Sequence, residues 1–174
     1  MKQINIQYYK TNDIEFILGS YKGKLCLLDF HNTEMRKSLD ERIKKLLNAE
    51  YIEKDDAILQ LTREQLDEYF EGKRKEFDIP LLMLGTEFQK SVWNGLVKIP
   101  YGKTISYLEL AKNIGNIKAV RAVANANGAN SIAIIVPCHR VIGSDGTLTG
   151  YTGGLALKKK FLELENMFRA NSIT

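Results

Sequence analysis

The segment Ile132-Ala133-Ile134-Ile135-Val136-Pro137-Cys138-His139-Arg140-Val141 joins an apolar, mostly β-branched run to a thiol and an imidazole. Such a run is typical of a buried strand. Pro137 cannot donate a hydrogen bond to a sheet, so we expect the strand to end or bend there. Cys138 would then lie where a rigid core strand meets the surface, which is a position that suits a nucleophile.

Cys138 also has a simpler explanation, because a free cysteine is more often a small buried hydrophobic residue than a reactive group. Adjacent residues of a regular strand point to opposite faces, so His139 could not touch the Cys138 sulfur directly if the strand continued. The sequence therefore predicts either a break at Pro137 or a water molecule between the two side chains.

A carboxylate near the C-terminus is the third candidate group. Four apolar residues recur there at helical spacing and predict one buried stripe: Leu157, Phe161, Leu164 and Phe168. Glu165 lies at or beside this stripe, where a carboxylate is unfavourable without a partner. A lysine or solvent could satisfy it. His139 is the alternative with a chemical consequence. A carboxylate on one imidazole nitrogen fixes the tautomer, favours the protonated ring and leaves the other nitrogen to take the thiol proton.

Length and charge set broad limits. The 174 residues are enough for one domain or two small ones, and the net charge of +4 is compatible with an anionic partner. We interpret the runs Lys73-Arg74-Lys75 and Lys158-Lys159-Lys160 as solvated faces. No signal peptide or transmembrane stretch is visible, so we expect a cytoplasmic protein without a membrane partner, in which Cys138 stays reduced.

The cysteines and histidines do not favour a metal site. Cys26 lies in the apolar run 25–28, and we expect it to be buried and inert. Cys26, His31, Cys138 and His139 could together supply the donors of a structural zinc. That assignment would leave no group for the chemistry described above, so the sequence predicts no metal.

The first half indicates strands followed by helices. Residues 14–18 and 25–30 are apolar runs joined by a glycine-containing turn, which predicts a hairpin. Two helices are predicted from apolar residues at helical spacing: Leu39, Ile43, Leu46 and Leu47, then Ile58, Leu61, Leu66 and Phe70. Residues 78–85 have the character of a linker, so we predict an N-terminal α/β domain at 1–80 and a second domain at 81–174.

The second half is rich in helix-capping signals. Thr86-Glu87-Phe88-Gln89 and Ser106-Tyr107-Leu108-Glu109 each predict a capping box that opens a helix, and Gly115 predicts the end of the second helix. The buried face of the first helix is expected to carry Phe88, Val92, Trp93, Leu96 and Val97. A third helix is predicted from 116 to 128, with Ile117, Val120, Val123 and Ala124 facing inward and Lys118, Arg121, Ala122 and Asn125 on the other side.

Two short helices joined by a tight turn form a helix-turn-helix. The outer face of the third helix combines small alanines with cations. Small side chains allow a helix to approach nucleic acid closely, while cations meet phosphates. An ordinary surface helix also carries lysine and arginine, so the pattern is compatible with either explanation.

The second half resembles the O6-alkylguanine-DNA alkyltransferase family, also called methylated-DNA–protein-cysteine methyltransferases. The resemblance covers residues 85 to about 165 and rests on motifs in a fixed order: Gly85-Thr86-Glu87-Phe88-Gln89, Val92-Trp93, Ile99-Pro100-Tyr101-Gly102, Ser106-Tyr107, Arg121-Ala122-Val123, Asn130, Pro137-Cys138-His139-Arg140-Val141, Gly150-Tyr151, Gly153-Gly154 and Glu165. Three positions depart from common family patterns, namely Ala124, Ser131 and Thr152.

This resemblance implies a fold and a reaction. The fold would be α/β, with an N-terminal ribonuclease-H-like domain and a C-terminal winged-helix-like domain that binds DNA and carries the catalytic residues. A monomer without a cofactor would bind double-stranded DNA containing O6-alkylguanine and accept the alkyl group irreversibly on Cys138, with O4-alkylthymine as a second candidate substrate. Because O6 lies inside the duplex stack, the nucleotide would be flipped out.

The resemblance also implies roles for individual residues. Cys138 would be the nucleophile and His139 its base through a water, with Glu165 orienting His139. Asn130 would be the hinge residue that ties the recognition helix to the active-site turn. The DNA contacts would come from Ser106, Tyr107, Arg121, Ala122 and Asn125, with Arg121 filling the gap left by the extruded base. The base pocket would be lined by Tyr107, Val141, Tyr151, Thr152 and Gly153.

Three other functions fit parts of the pattern. Alkyltransferase-like proteins bind lesions without repairing them, but they carry tryptophan at the nucleophile position, where this chain has Cys138. A Cys-His hydrolase of small molecules would also use Cys138, His139 and Glu165, and it would release product repeatedly. A helix-turn-helix transcription regulator is the third, although no cysteine-rich regulatory domain is visible.

Overall fold

The chain folds into two units, which divide between Leu84 and Gly85 in a computed structural model that describes residues 2–171. The sequence pattern places this boundary earlier, after residue 80. The structure extends the first unit because the Leu25 N–H donates to the Pro80 carbonyl and the Leu82 N–H donates to the Leu25 carbonyl, both at 2.8 Å. Leu84 is buried in the core of the first unit, so the end of the linker belongs to that unit.

A four-stranded sheet forms the centre of the first unit. Its strands are β1 (Lys2–Thr11), β2 (Ile14–Tyr21), β3 (Lys24–Phe30) and β4 (Ala49–Glu53), in the spatial order β3-β2-β1-β4. The predicted hairpin is confirmed as the antiparallel pair β2–β3, whereas β1 and β4 have no counterpart among the sequence predictions. β4 runs parallel to β1, and α1 (Arg36–Leu47) supplies the crossover that this pairing requires.

Both faces of this sheet are covered by helices. Ile17 packs in one core cluster with Ile43 of α1. The adjacent Phe16 points to the opposite face and packs against Phe70 of α2 (Ala57–Phe70), with ring centroids 6.3 Å apart. A sheet buried on both faces explains why β2 and β3 read as nearly continuous apolar runs rather than alternating ones.

The second unit begins with the predicted capping box, which the structure confirms at α3 (Glu87–Val97). The Gln89 N–H donates to Thr86 Oγ1 at 3.1 Å, and the Thr86 N–H donates to Gln89 Oε1 at 2.9 Å. Val92, Trp93 and Leu96 are buried as expected. The prediction is wrong for Val97, which is 48% exposed, because α3 ends there and the chain turns to bury Ile99 instead.

The helix-turn-helix is formed by α4 (Tyr107–Asn113) and α5 (Val120–Gly128), with a short 3₁₀ turn, Ile117–Ala119, between them. Gly115 ends the first of these helices with a φ of 80°, in the left-handed region that glycine adopts readily. The inner face of α5 is formed by Val123, Ala126 and Asn127. Ile117 was expected inside and is 50% exposed, because it lies in the 3₁₀ turn before the helix starts.

The apolar run 132–136 is largely buried but does not form the predicted strand. It folds as successive turns, in which Ile134 has a φ of 68° and the Val136 N–H donates to the Ile132 carbonyl at 3.1 Å. Asn130 takes the place of a neighbouring strand, since its Oδ1 accepts from the Ile132 N–H and its Nδ2 donates to the Val136 carbonyl. Side-chain hydrogen bonds of this kind compete with sheet pairing, and hydrophobicity does not reveal them.

The unit is completed by a short parallel pair, β5 (Ile105–Ser106) with β6 (Val141–Ile142), and by the long helix α6 (Leu155–Asn171). Within residues 2–171, none of the helices combines the length and the apolar character that a membrane span requires.

Candidate active site

Cys138 opens a 3₁₀ turn, Cys138–Arg140, which lies directly before β6. Pro137 precedes it with a φ of −81° and a ψ of 65°, outside strand geometry. Of the two expectations for this segment, a break at Pro137 is therefore what the structure contains. Cys138 is 7% exposed and forms no disulfide within residues 2–171, so its sulfur lies just beneath the surface on a short, well-anchored turn.

Asn130 fixes both the turn and the sulfur. Its Nδ2 donates to the Val136 carbonyl at 2.8 Å and lies 3.3 Å from Cys138 Sγ. The Asn130 amide also bonds to both main-chain groups of Ile132, because its Nδ2 donates to the carbonyl and its Oδ1 accepts from the N–H. These bonds restrict the conformation of the chain that leads to Cys138. The predicted hinge residue is thus in contact with the predicted nucleophile.

His139 and Glu165 meet in the interior. His139 Nε2 lies 2.6 Å from Glu165 Oε2, and the two side chains are 0% and 1% exposed. The edge of the Phe161 ring packs against the imidazole at a centroid distance of 5.6 Å. Helical spacing on α6 therefore delivers both the carboxylate and the aromatic ring to the same histidine.

Arg140 is a partner of Glu165 that the sequence analysis leaves without a role. Its Nε donates to Oε1 at 2.8 Å and its Nη2 to Oε2 at 3.1 Å, which is a two-point contact between guanidinium and carboxylate. Arg140 Nη1 also donates to the Ile99 carbonyl at 2.8 Å, and the Gly102 N–H lies 3.3 Å from Glu165 Oε1. The position of Glu165 on an apolar stripe could have predicted a contact with a cation, because a buried carboxylate requires a positively charged partner.

The charges of this cluster can be assigned from its contacts. Burial alone would raise the pKa of Glu165, but its hydrogen bonds to His139 and Arg140 and their charges lower it from 4.5 to about 2. Burial lowers the pKa of His139 below its ordinary value of 6.5 and outweighs the opposing influence of Glu165. The carboxylate is therefore ionised and the imidazole neutral near pH 7, which reverses the expectation of a protonated ring at rest.

The tautomer of His139 follows from these charges. An ionised carboxylate can only accept, so the hydrogen between the two groups must be on Nε2. Nδ1 is then the nitrogen with a free lone pair. Nδ1 is buried and has no hydrogen-bond partner among residues 2–171. It can therefore accept a proton in a site from which bulk solvent is excluded.

Lys158 is a second residue that the sequence does not single out, because it belongs to a lysine run interpreted as a solvated face. It is 0% exposed, and its Nζ donates to the Thr149 carbonyl at 2.7 Å. Burial lowers the pKa of its ammonium group, while the charge interaction with Cys138 opposes that change. Its position three residues before Phe161 and seven before Glu165 is the signal that could have placed it inward.

Three of the predicted pocket residues, Tyr151, Thr152 and Gly153, lie in the loop 149–154, and Tyr107 contacts it. Tyr107 donates from its hydroxyl to the Thr149 carbonyl at 3.3 Å, and Thr152 donates from Oγ1 to the Gly128 carbonyl at 3.3 Å. Tyr151 packs edge-on against Phe161 with ring centroids 6.2 Å apart. Val141 is buried in β6, and Gly153 is half-buried in the loop itself.

The predicted DNA-contacting residues occupy a different place from the catalytic cluster. Arg121, Ala122 and Asn125 are exposed on the outer face of α5. In the part of the chain that the structure describes, Arg121 makes no hydrogen bond or ion pair with Cys138, His139 or Glu165. Ser106 accepts the Glu109 N–H at 3.0 Å and thereby caps α4.

The residues weighed as metal ligands do not form a cluster. Cys26 belongs to the first unit, its sulfur donates to the Gly19 carbonyl at 3.6 Å, and burial raises the pKa of its thiol to about 12. His31, in the same unit, packs against Tyr8 at a centroid distance of 4.8 Å. No group of three or more His, Cys, Asp or Glu side chains suited to a metal ion occurs within the described residues.

Comparison with known proteins covers both units. Residues 87–167 match the family "6-O-methylguanine DNA methyltransferase, DNA binding domain", and residues 5–83 match "6-O-methylguanine DNA methyltransferase, ribonuclease-like domain". The chain is 42% identical over 160 residues, 92% of its length and 88% of the relative's, to the inducible methylated-DNA–protein-cysteine methyltransferase of Bacillus subtilis. It is 54% identical over 149 residues, 86% and 88% of the two chains, to the methylated-DNA–protein-cysteine methyltransferase of Methanosarcina barkeri.

Solved structures agree with the sequence relatives. The structure of Mycobacterium tuberculosis OGT in complex with DNA superimposes with a TM-score of 0.80 at 38% identity, covering 95% of this chain and 94% of the other. Family matches to both units, together with relatives that span most of the chain, leave one assignment: the chain belongs to the 6-O-methylguanine DNA methyltransferase family.

Proposed function

We propose that this protein repairs DNA by moving an alkyl group from O6 of guanine to the sulfur of Cys138. The observation that carries the proposal is a buried thiol next in sequence to an imidazole whose Nε2 lies 2.6 Å from the Glu165 carboxylate, within the motif Pro137-Cys138-His139-Arg140. Cys138 is thus the nucleophile, His139 its base, and Glu165 the group that orients and supports His139.

The first step is a proton transfer. The thiol proton passes through a water to His139 Nδ1, which supplies the lone pair. The ring becomes positively charged next to Glu165, so the ion pair forms only as the thiolate forms. Arg140 holds the carboxylate by two hydrogen bonds and prevents it from turning away.

The second step is displacement at the alkyl carbon. The thiolate sulfur forms a bond to that carbon while the carbon–O6 bond breaks, and its electron pair passes to the guanine. The guanine anion then takes up a proton from water and leaves as the normal base, and protonated His139 returns its proton to water. Tyr107 and Thr152 lie at the loop 149–154, where their hydroxyls donate to the Thr149 and Gly128 carbonyls. With DNA bound, each hydroxyl would exchange that carbonyl for the departing base as its acceptor.

Access to O6 requires the nucleotide to leave the duplex. The exposed face of α5, with Arg121, Ala122 and Asn125, supports contact with double-stranded DNA, and Arg121 is the side chain we assign to the gap in the stack. The position of Asn130 between the end of α5 and the Cys138 turn supports the hinge role that we propose for it.

The finer features of the proposal concern the protein's setting. We propose that it acts as a monomer in the cytoplasm on double-stranded DNA containing O6-alkylguanine, without a cofactor. Each molecule would act once, because neither His139 nor water readily cleaves the thioether formed on Cys138. O4-alkylthymine remains a second candidate substrate.

The test is incubation with a duplex that contains one O6-methylguanine, followed by intact-mass measurement. We expect the protein to gain one methyl group and the product to stop at one equivalent of protein. The variant Cys138→Ala should gain nothing while it still binds the duplex, and Cys26→Ala should react normally. An unmodified protein that still binds the lesion would identify a sensor, and product that accumulates beyond one equivalent would identify a hydrolase. Either outcome would refute the proposal.

A further inference from the structure

Asn127 is a buried polar residue on the inner face of α5 that the proposed reaction does not use. Its side chain is 3% exposed, and its Nδ2 lies 3.4 Å from the main-chain carbonyl of Cys138. The Val141 N–H donates to the same carbonyl. Two donors therefore converge on the carbonyl oxygen of the nucleophile, one from β6 and one from the helix that carries Arg121.

The other end of the Asn127 amide is unsatisfied. Its Oδ1 is buried and has no hydrogen-bond partner among the residues that the structure describes. A buried acceptor without a partner lowers the free energy of unfolding, and replacing the whole amide by an apolar group of similar shape would remove that loss. For stability alone, leucine would thus serve as well as asparagine at this position.

We propose that Asn127 is a positioning residue for alkyl transfer, an inference that rests on the proposed function. Its amide holds the Cys138 carbonyl and thereby fixes the backbone from which the Cα–Cβ bond of Cys138 projects. Asn130 contacts the sulfur from the other end of the same short segment. The segment 127–130 thus holds Cys138 at two points, its carbonyl and its Sγ.

This role predicts a particular kinetic effect. Displacement at carbon requires the sulfur to approach in line with the breaking bond, so a small change in its direction lowers the rate. The contact from Asn127 reaches the main chain and not the thiol proton. Its loss should therefore slow the reaction of the thiolate without changing the pH at which the thiolate forms.

The experiment compares wild type with Asn127→Leu, and with Asn127→Ala as a second variant in case leucine does not fit. Transfer rates are measured with free O6-benzylguanine and with an O6-methylguanine duplex from about pH 6.5 to about pH 9.5, a range that spans the ordinary thiol pKa of about 8.5. We expect transfer to be about tenfold slower on both substrates, by the same factor at every pH, which corresponds to one hydrogen bond. The thermal midpoint of Asn127→Leu should equal or exceed that of wild type.

Val123→Ala is the matched control, because Val123 is a fully buried residue on the same face of α5. It should lower the thermal midpoint and leave the transfer rate unchanged at a temperature where the variant is folded. Wild-type rates in both Asn127 variants would overturn the inference, and so would a deficit that vanishes at high pH. If wild type itself gains no alkyl group, the proposed function falls together with this inference. Equal rates in wild type and variants refute the inference alone.

Discussion

Replacing Glu165 by glutamine keeps the shape of the side chain and removes its charge. The carboxylate accepts from His139 Nε2 at 2.6 Å and from Arg140 at 2.8 and 3.1 Å. The fall of its pKa from 4.5 to about 2 corresponds to about 3 kcal/mol at 1.36 kcal/mol per unit. We therefore expect Glu165→Gln to lower the free energy of unfolding by about 3 kcal/mol, at the lower end of what breaking a buried ion pair costs.

The same substitution should slow alkyl transfer. A glutamine amide can donate to His139 Nε2 and so favour the tautomer with the hydrogen on Nδ1, which removes the lone pair that the reaction needs. If His139 is protonated during the reaction, its positive charge would also lack the negative charge of Glu165 beside it. Loss of a general base costs about 10²- to 10⁴-fold in rate, and we expect a deficit in this range near pH 7.

The assay is the pH–rate profile with free O6-benzylguanine, from about pH 6.5 to about pH 9.5, through the ordinary thiol pKa of about 8.5. The deficit should shrink as pH rises, because hydroxide replaces the base. Glu163→Gln is the matched control, since Glu163 lies on the same helix and is 67% exposed in a 3.8 Å pair with Lys159. A folded Glu165→Gln that is equally slow across the whole pH range would refute the relay.

Acid unfolding tests the stability part separately. A carboxyl group whose pKa is lowered in the folded state contributes stability above its unfolded pKa, and this contribution is lost as the pH falls from about 4.5 toward about 2. His139 also lowers the free energy of unfolding as the pH falls. Its pKa is lower in the folded state, so below about pH 6.5 the unfolded chain binds this proton more readily. The stability difference between wild type and Glu165→Gln should thus shrink below about pH 4.5. A difference that stays constant down to about pH 2 would contradict the assignment.

Two further predictions concern the outer helix face and the first unit. Arg121→Ala should slow repair of duplex DNA far more than reaction with free O6-benzylguanine, because a free base needs no flipping; equal losses on both substrates would show that Arg121 supports the fold or the pocket. Asp29→Asn should stabilise the protein near pH 7, since burial raises the pKa of Asp29 from 3.8 to about 6 and its Oδ2 is without a hydrogen-bond partner within residues 2–171. The gain, up to about 3 kcal/mol at 1.36 kcal/mol per unit, should disappear as the pH falls from about 6 to about 4, where the wild-type carboxyl is neutral. Thermal midpoints of both proteins over that range test it, and a gain that does not depend on pH would contradict the assignment.

Short-range chemistry is where the sequence predicts this protein well. The Thr86–Gln89 capping box, the end of α4 at Gly115 and the β2–β3 hairpin each depend on residues a few positions apart, and all three are confirmed. The motif around Cys138 likewise indicates a nucleophile with an adjacent imidazole. These features follow from local hydrogen bonding and backbone preference, which a single stretch of sequence contains in full.

The apolar pattern predicts burial more reliably than conformation. Residues 132–136 are largely buried as expected, yet they form turns, because the side chain of Asn130 pairs with their backbone groups. β1 and β4 were missed although their residues complete the sheet. A strand is stabilised by the strand it pairs with, and its own sequence does not specify which strand that will be.

Local sequence is enough to predict a thiol nucleophile with a neighbouring imidazole, the capped helices and the family resemblance. The charge states of the site depend on contacts that form only in the folded protein. Arg140 and Glu165 are far apart along the chain, and Lys158 sits within a run that is otherwise exposed. Whether a charged group is ionised depends on desolvation and on partners brought from distant elements. Those quantities arise only when α6 packs against the Cys138 turn, where burial lowers the pKa of His139 below its ordinary value.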